Sequence, residues 1–239
     1  MLRASIAALA LLPLLGGCDA PWSDAGDRAE TAREFPAADR PVAPIVSTKW
    51  STEEARDRVN EADDVMNSAD VRAGMTVADI GAGDGYYTVR LAARVGAGGR
   101  VLAQDIQPEV IERLADRIAR ERLDNVSLKL GAVDDPRLPE NSFDRVFMVH
   151  MYHEIGEPYA FLWRLRPALR RDGQVIVVDG DRPIAQHGTP FRLLVCEFQA
   201  VGYKLLSYDD KQTAGGYLAR FVPAGRRPQP ADIRVCRNP

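Results

Sequence analysis

Apolar positions recur every third or fourth residue in some stretches, and every second residue or in unbroken runs in others. This alternation predicts helices and strands taken in turn, an α/β architecture. Ser51-Thr52-Glu53-Glu54 reads as a capping box opening a helix with Ala55, Val59, Ala62 and Met66 on one face. Gly74 ends the approach to a strand over Thr76 to Ile80. A glycine-rich turn follows, then a helix with Tyr87, Leu91 and Val95 turned inward. A second strand, Arg100 to Gln104, leads to a helix begun by Pro108, with Val110, Ile111, Leu114 and Ile118 at helical spacing. Short strands are expected at Val126 to Leu130 and Phe143 to Val149, then a helix over Tyr159 to Leu169 disturbed by Pro167. The apolar run Gln174 to Val178 suits a strand covered on both faces. Thr189-Pro190 reads as the N-cap and first residue of a helix with Leu194, Val195, Phe198 and Val201 inward. Tyr203 to Tyr208 and Tyr217 to Val222 close the pattern as an antiparallel pair, separated by Asp209-Asp210-Lys211 and Gly215-Gly216. The sum is a doubly wound sheet of about seven strands, mostly parallel, with one reversed strand near its edge.

The two ends carry no such period. Ala4 to Leu15 is a short apolar stretch behind a single arginine, of signal-peptide type and too short to span a bilayer comfortably. Leu15-Gly16-Gly17-Cys18 then resembles the bacterial lipobox, which makes Cys18 a candidate lipid anchor and residues 1–17 a removable leader. Asp19 resembles the signal that retains some lipoproteins in the inner membrane. Residues 18–47 are rich in Ala, Asp, Arg and Pro and are expected to form a flexible tether, since they offer little apolar surface to offset ordering entropy. Residues 224–239 carry Arg226, Arg227, Arg234 and Arg237 with Pro228 and Pro230, and read as a loose basic tail. The folded domain is expected over residues 48–223.

Composition narrows the classes. Of 239 residues, 46% are hydrophobic and 27% charged, so most of the chain folds. The formal net charge of −3 lacks the basic excess that a phosphate backbone attracts, and no nucleic-acid partner is expected. Cys18, Cys196 and Cys236 are too few and too scattered for a disulfide framework or a zinc cluster. Cys196, among apolar helix residues, reads as inert core.

Chemistry concentrates at the first strand-to-helix turn, Asp79-Ile80-Gly81-Ala82-Gly83-Asp84-Gly85, where glycine lets main chain approach a ligand closely. Tyr86 occupies the place where a dinucleotide fingerprint needs its third glycine, and no GxxxxGK[ST] occurs, so neither NAD nor a nucleoside triphosphate is indicated. The turn resembles the first motif of the class I S-adenosylmethionine-dependent methyltransferases. The order of features over Val71 to Val222 agrees with that family, and the segments around the loop are similar to bacterial predicted methyltransferases. The resemblance implies S-adenosylmethionine as cofactor, with Gly81, Gly83 and Gly85 against it and Asp79 orienting the loop or the sulfonium end. It further implies Asp105, at the end of the second strand, accepting from both ribose hydroxyls. Asp134 in Gly131-Ala132-Val133-Asp134-Asp135 would take the adenine amine, with Asp135 the second choice. Phe143-Asp144-Arg145-Val146-Phe147 and the turn Arg171-Asp172-Gly173 fit the fourth- and fifth-strand positions.

After the fourth strand, His150-Met151-Tyr152-His153-Glu154 falls at the expected mouth of the site. His153 is the candidate general base for a hydroxyl, phenol or amine acceptor, ahead of His150. Lys49, Trp50, Tyr86 and Tyr87 are candidates to close over the cofactor. No metal is expected, because His153-Glu154 is not followed by the second histidine of a zincin helix. The expected activity is methyl transfer to a small molecule or envelope component by an enzyme lipid-anchored in the cell envelope. The alternatives are a tethered, non-catalytic binding domain on the same scaffold and a cytoplasmic location.

Overall fold

The computed structural model describes residues 28–46 and 51–237. The leader, Cys18, Lys49 and Trp50 lie outside them. Thirteen elements follow in chain order: α1 (Glu53–Arg58), α2 (Glu61–Ser68), β1 (Thr76–Ile80), α3 (Tyr86–Val95), β2 (Arg100–Asp105), α4 (Pro108–Glu121), β3 (Val126–Leu130), β4 (Phe143–Val149), α5 (Pro158–Leu165), β5 (Leu169–Asp179), α6 (Phe191–Ala200), β6 (Tyr203–Lys211) and β7 (Gly216–Pro223). They build one seven-stranded sheet in the order β3-β2-β1-β4-β5-β7-β6. β1 to β5 run parallel, and β7 pairs antiparallel with both β5 and β6, giving the expected reversed strand beside the edge. No helix of the described residues is long and apolar enough to cross a membrane.

The alternation of side chains along each strand sends apolar groups to both faces. Val77, Val101, Phe147 and Ile176 pack under α2 and α3 with Val65, Leu91 and Val95. Ala78, Ile80, Val146, Met148 and Val177 face the opposite layer, where α5 and α6 contribute Tyr159, Leu162, Leu194 and Phe198. The chain leaves β1 toward β2 and β3, then returns to place β4 on the other side of β1. That reversal opens a crevice beyond the carboxyl ends of β1 and β4.

Several local expectations are corrected. The first helix is two, because Asn60 takes φ +53 and breaks it; the cap is Thr52, whose Oγ1 accepts from Ala55 N–H, and not Ser51. Thr189 does not cap α6; its hydroxyl donates to Asp179, and Asp181 accepts from Phe191 N–H instead. The described part of the expected tether is packed: Ala32 and Phe35 enter the core, and Arg28 and Arg40 pair with Glu157 and Glu197. The expected loose tail is tied down through Ile233 in the core, Pro228 O accepting from Trp163 Nε1, and a Cys196–Cys236 disulfide. Cys196 is therefore a disulfide partner and not an inert core thiol.

Candidate functional site

A cavity of about 430 Å³ opens in the crevice. Its floor and walls come from the loop after β1 (Gly81, Ala82, Gly83, Asp84), from Glu53 and Arg56 of α1, from Tyr86 and Tyr87 opening α3, and from Val149, His150, Met151, His153 and Glu154 after β4. The volume falls within the range of roughly 300–1,000 Å³ usual for small-molecule sites.

The loop owes its path to its glycines. Gly81, Gly83 and Gly85 all have positive φ. A Cβ at Gly81 would stand 3.0 Å from Met151 Cγ, and one at Gly85 would stand 2.5 Å from Leu114 Cδ1. Side chains there would strain the backbone and fill space between the loop and its neighbours. Gly83 N–H donates to Asp105 Oδ2 at 3.1 Å, and Gln107 N–H donates to Asp105 Oδ1 at 3.0 Å. The carboxylate is thus fixed against the loop while two of its lone-pair directions remain for other donors. Asp105 is 7% exposed and adjoins the cavity wall through Gly83.

Asp79 is buried beneath the loop, where Thr88 Oγ1 donates to it at 2.6 Å, joining β1 to α3. Burial pushes its carboxyl up to about 6 against the Thr88 hydrogen bond. Its contact is with the scaffold, one layer away from the cavity. Asp134 is not brought to the cavity either. Its carboxylate accepts from Thr31 Oγ1 at 2.6 Å and from the Arg164 guanidinium. Desolvation pushes its pKa up, but those two partners outweigh it and hold the carboxyl below its ordinary value. Asp135 accepts from Arg137 N–H.

Below the cavity, Glu61 gathers a polar cluster. Arg56 donates to both its oxygens at 2.6 and 3.0 Å, Tyr87 OH donates at 3.0 Å, and His150 Nε2 lies 3.7 Å away. His150 holds φ +54 at the end of β4, a strained backbone for a non-glycine residue. His153 is 1% exposed, and its Nδ1 lies 3.0 Å from each oxygen of Asp179, which ends β5. Asp179 also accepts from Gly180 N–H at 2.8 Å and Thr189 Oγ1 at 2.7 Å, so it is an anchored partner that fixes the imidazole's orientation. Glu154 accepts from Val46 N–H at 3.2 Å, and burial pushes its carboxyl up to about 7. His187 completes the group. Its ring meets that of His153 edge to face at 5.5 Å, and ligand atoms of His153, Glu154 and His187 lie within 4.8 Å of one another. Sequence reasoning passed over His187 and Asp179: the first sits in an irregular loop, the second at the end of an apolar strand, and no fixed spacing links either to His153.

Residues 77–173 match a family model described as a methyltransferase domain. Among curated proteins, the chain is 32% identical over 111 residues to the nocamycin O-methyltransferase of Saccharothrix syringae, covering 46% of this chain and 40% of that protein. It is 33% identical over 144 residues to the tRNA U34 carboxymethyltransferase of Cronobacter sakazakii, covering 57% and 41% respectively. The chain thus spans about two fifths of the length of these relatives. A solved S-adenosylmethionine-dependent methyltransferase from Aquifex aeolicus superposes with a TM-score of 0.61 at 21% identity, over 72% of this chain and 97% of that one. The fold is that of the class I methyltransferases, and the matched residues 77–173 include the loops after β1 and β4 that line the cavity.

Proposed function

We propose that the protein is an enzyme that transfers the methyl group of S-adenosylmethionine to a small-molecule or envelope-component acceptor held on the His153 side of the cavity. The observation that carries this reading is the glycine loop tied to Asp105: main chain free of side chains on one strand end, and an oriented carboxylate on the next. When bound, the cofactor supplies an electrophilic methyl on a sulfonium. Gly81 to Gly85 would take its aminoacyl and ribose portions against bare backbone, and the open lone pairs of Asp105 would accept from the two ribose hydroxyls. Asp134, engaged by Thr31 and Arg164, has no part in this reading.

The remaining work is orientation, which supplies up to about 7–11 kcal/mol when reacting atoms are held in line. Tyr86, Tyr87, Val149 and Met151 bound the acceptor space with apolar surface. His153, with Nδ1 held by Asp179, offers its other nitrogen to an acceptor hydroxyl or amine. For location, we propose export to an oxidising compartment and attachment through a lipid on Cys18. The lipobox-like sequence and the Cys196–Cys236 disulfide support this, because disulfides persist in such compartments.

Isothermal titration of the full chain with S-adenosylmethionine and with its demethylated product tests the reading. Both are expected to bind, and Asp105→Ala is expected to weaken both by at least tenfold, about 1.4 kcal/mol, through loss of hydrogen bonds to a charged acceptor. Absence of heat with either ligand overturns it. Binding without turnover on any labelled-methyl acceptor profile favours the non-catalytic tethered domain.

A further inference from the structure

We propose that His153, Glu154 and His187 form a site for a divalent transition-metal ion, zinc by chemical preference, whose open coordination position faces the acceptor end of the cavity. The three residues come from two loops at the carboxyl edge of the sheet, one after β4 and one after β5, and each offers a ligand atom within 4.8 Å of the others. Two imidazoles and a carboxylate suit zinc and its first-row neighbours better than magnesium or calcium, which prefer oxygen alone. Metal bonds of about 2.0–2.2 Å would draw the ligand atoms inward by roughly an ångström. Such a shift is within reach of side-chain rotation.

The surroundings fit a metal ligand set better than a chance meeting of polar groups. His153 presents Nδ1 to Asp179, which leaves Nε2 as its ligand atom. A histidine whose second nitrogen is held by a carboxylate is the usual outer arrangement of a metal-bound imidazole. Asp179 is in turn fixed by Gly180 N–H and Thr189 Oγ1. His187 Nδ1 is buried and has no hydrogen-bond partner among the described residues, a cost that an ion would relieve. The backbone of His187 is held at φ +54, and Arg182 clasps its loop by donating to Gln186 O and His187 O at 2.8 Å each. That loop keeps the ring beside His153 at the expense of an unfavourable backbone conformation.

Three protein ligands leave a position for water or substrate, the pattern of zinc sites that act on bound molecules. His153 and Glu154 both line the cavity, so an acceptor oxygen entering there would meet the ion. The inference rests on the methyl-transfer reading for the identity of that acceptor, and it replaces direct proton removal by His153 with coordination through it. The geometry of the ligand set itself does not depend on the cofactor.

The test uses the full chain, stripped with a chelator, dialysed, and titrated with zinc and with cobalt(II), followed by calorimetry and by the visible bands of cobalt bound to nitrogen and oxygen ligands. One equivalent is expected to bind. His187→Ala and Glu154→Gln are each expected to weaken zinc binding by at least a hundredfold. Asp179→Asn is expected to weaken it by about 10–100-fold. Binding of the demethylated cofactor should change less than twofold in His187→Ala and in the stripped wild-type protein. Zinc affinity equal in wild type and His187→Ala, or no cobalt spectrum, overturns the metal site and returns His153 to the role of base. Zinc binding with no cofactor heat would instead overturn the methyl-transfer reading and leave the metal site standing.

Discussion

Glu61 and Asp79 are two buried carboxyls, and the fold treats them in opposite ways. Burial alone would raise Glu61, but the His150 imidazole 3.7 Å away and the Arg56 guanidinium, which donates to both its oxygens, outweigh it and bring the carboxyl down from 4.5 to about 2. Asp79 has Thr88 as its hydrogen-bond donor and is pushed from 3.8 up to about 6. Linkage then fixes the signs. The contribution of Glu61 is present above about pH 4.5 and is lost as the pH falls toward 2. That of Asp79 is complete below about pH 4 and is lost as the pH rises through 6. At about 1.4 kcal/mol per tenfold change in acidity, each contributes on the order of 3 kcal/mol. Urea midpoints measured from pH 3 to 8 should therefore lose their acid limb in Glu61→Gln, and their decline between pH 4 and 6 in Asp79→Asn. Curves parallel to wild type would refute the assignment. At this scale the sequence exposed the glycines and Asp105, because a tight turn after a strand constrains residue type at fixed spacing. It concealed Asp179 and His187, which reach His153 through the fold, 26 and 34 positions away along the chain.

Element by element, the apolar period marked β1, β3 and β4 to the residue: β1 and β4 are largely buried and admit few polar positions, while β3, at the sheet edge, keeps a strict apolar-polar alternation. It failed where a single backbone conformation decides: Asn60 splits the first helix, and the chain after Leu165 tightens into a short 3-10 turn around Pro167. It also failed for residues 28–46. Proline and alanine made that segment look loose, yet Ala32, Phe35 and Ala43 in the core and the ion pairs of Arg28 and Arg40 fasten it. Arg40 and Glu197 form an ion pair with both side chains at 0% exposure, Arg40 Nη2 also donates to Ile155 O at 2.9 Å, and Tyr152 OH donates to Glu197 at 2.7 Å. The same strap brings Val46 N–H to Glu154 at the cavity, so fastening and site geometry are linked. Arg40→Ala leaves Glu197 buried without its cation and should cost about 3–5 kcal/mol, read as a fall in the urea midpoint. Replacing both partners, as in Arg40→Met with Glu197→Leu, should recover a large part of that loss. A single variant as stable as wild type would show that the strap does not hold.

For the molecule as a whole, the C-terminal segment and the lipobox-like N-terminus bear on the same question of compartment. The pairing of Cys196 with Cys236 could not be read from three scattered cysteines, because it depends on the tail folding back beside α6, where Tyr159 OH accepts from Cys236 N–H. Closing a loop of 40 residues in the unfolded chain is worth about 3–4 kcal/mol in the chain-entropy account, and that contribution requires oxidising surroundings. The methyl donor, by contrast, is made and used mainly in the cytoplasm, so the bond's redox state in cells discriminates between the two compartments. If the chain is exported and anchored, alkylation of cells before lysis should leave Cys196 and Cys236 unmodified until a reductant is added. Cys18→Ala should then move the protein from the membrane fraction to the soluble one with that disulfide intact. Two free thiols at 196 and 236 in freshly lysed cells would place the folded domain on the reducing side. Unchanged fractionation of Cys18→Ala would separate anchoring from that residue, whatever the state of the disulfide.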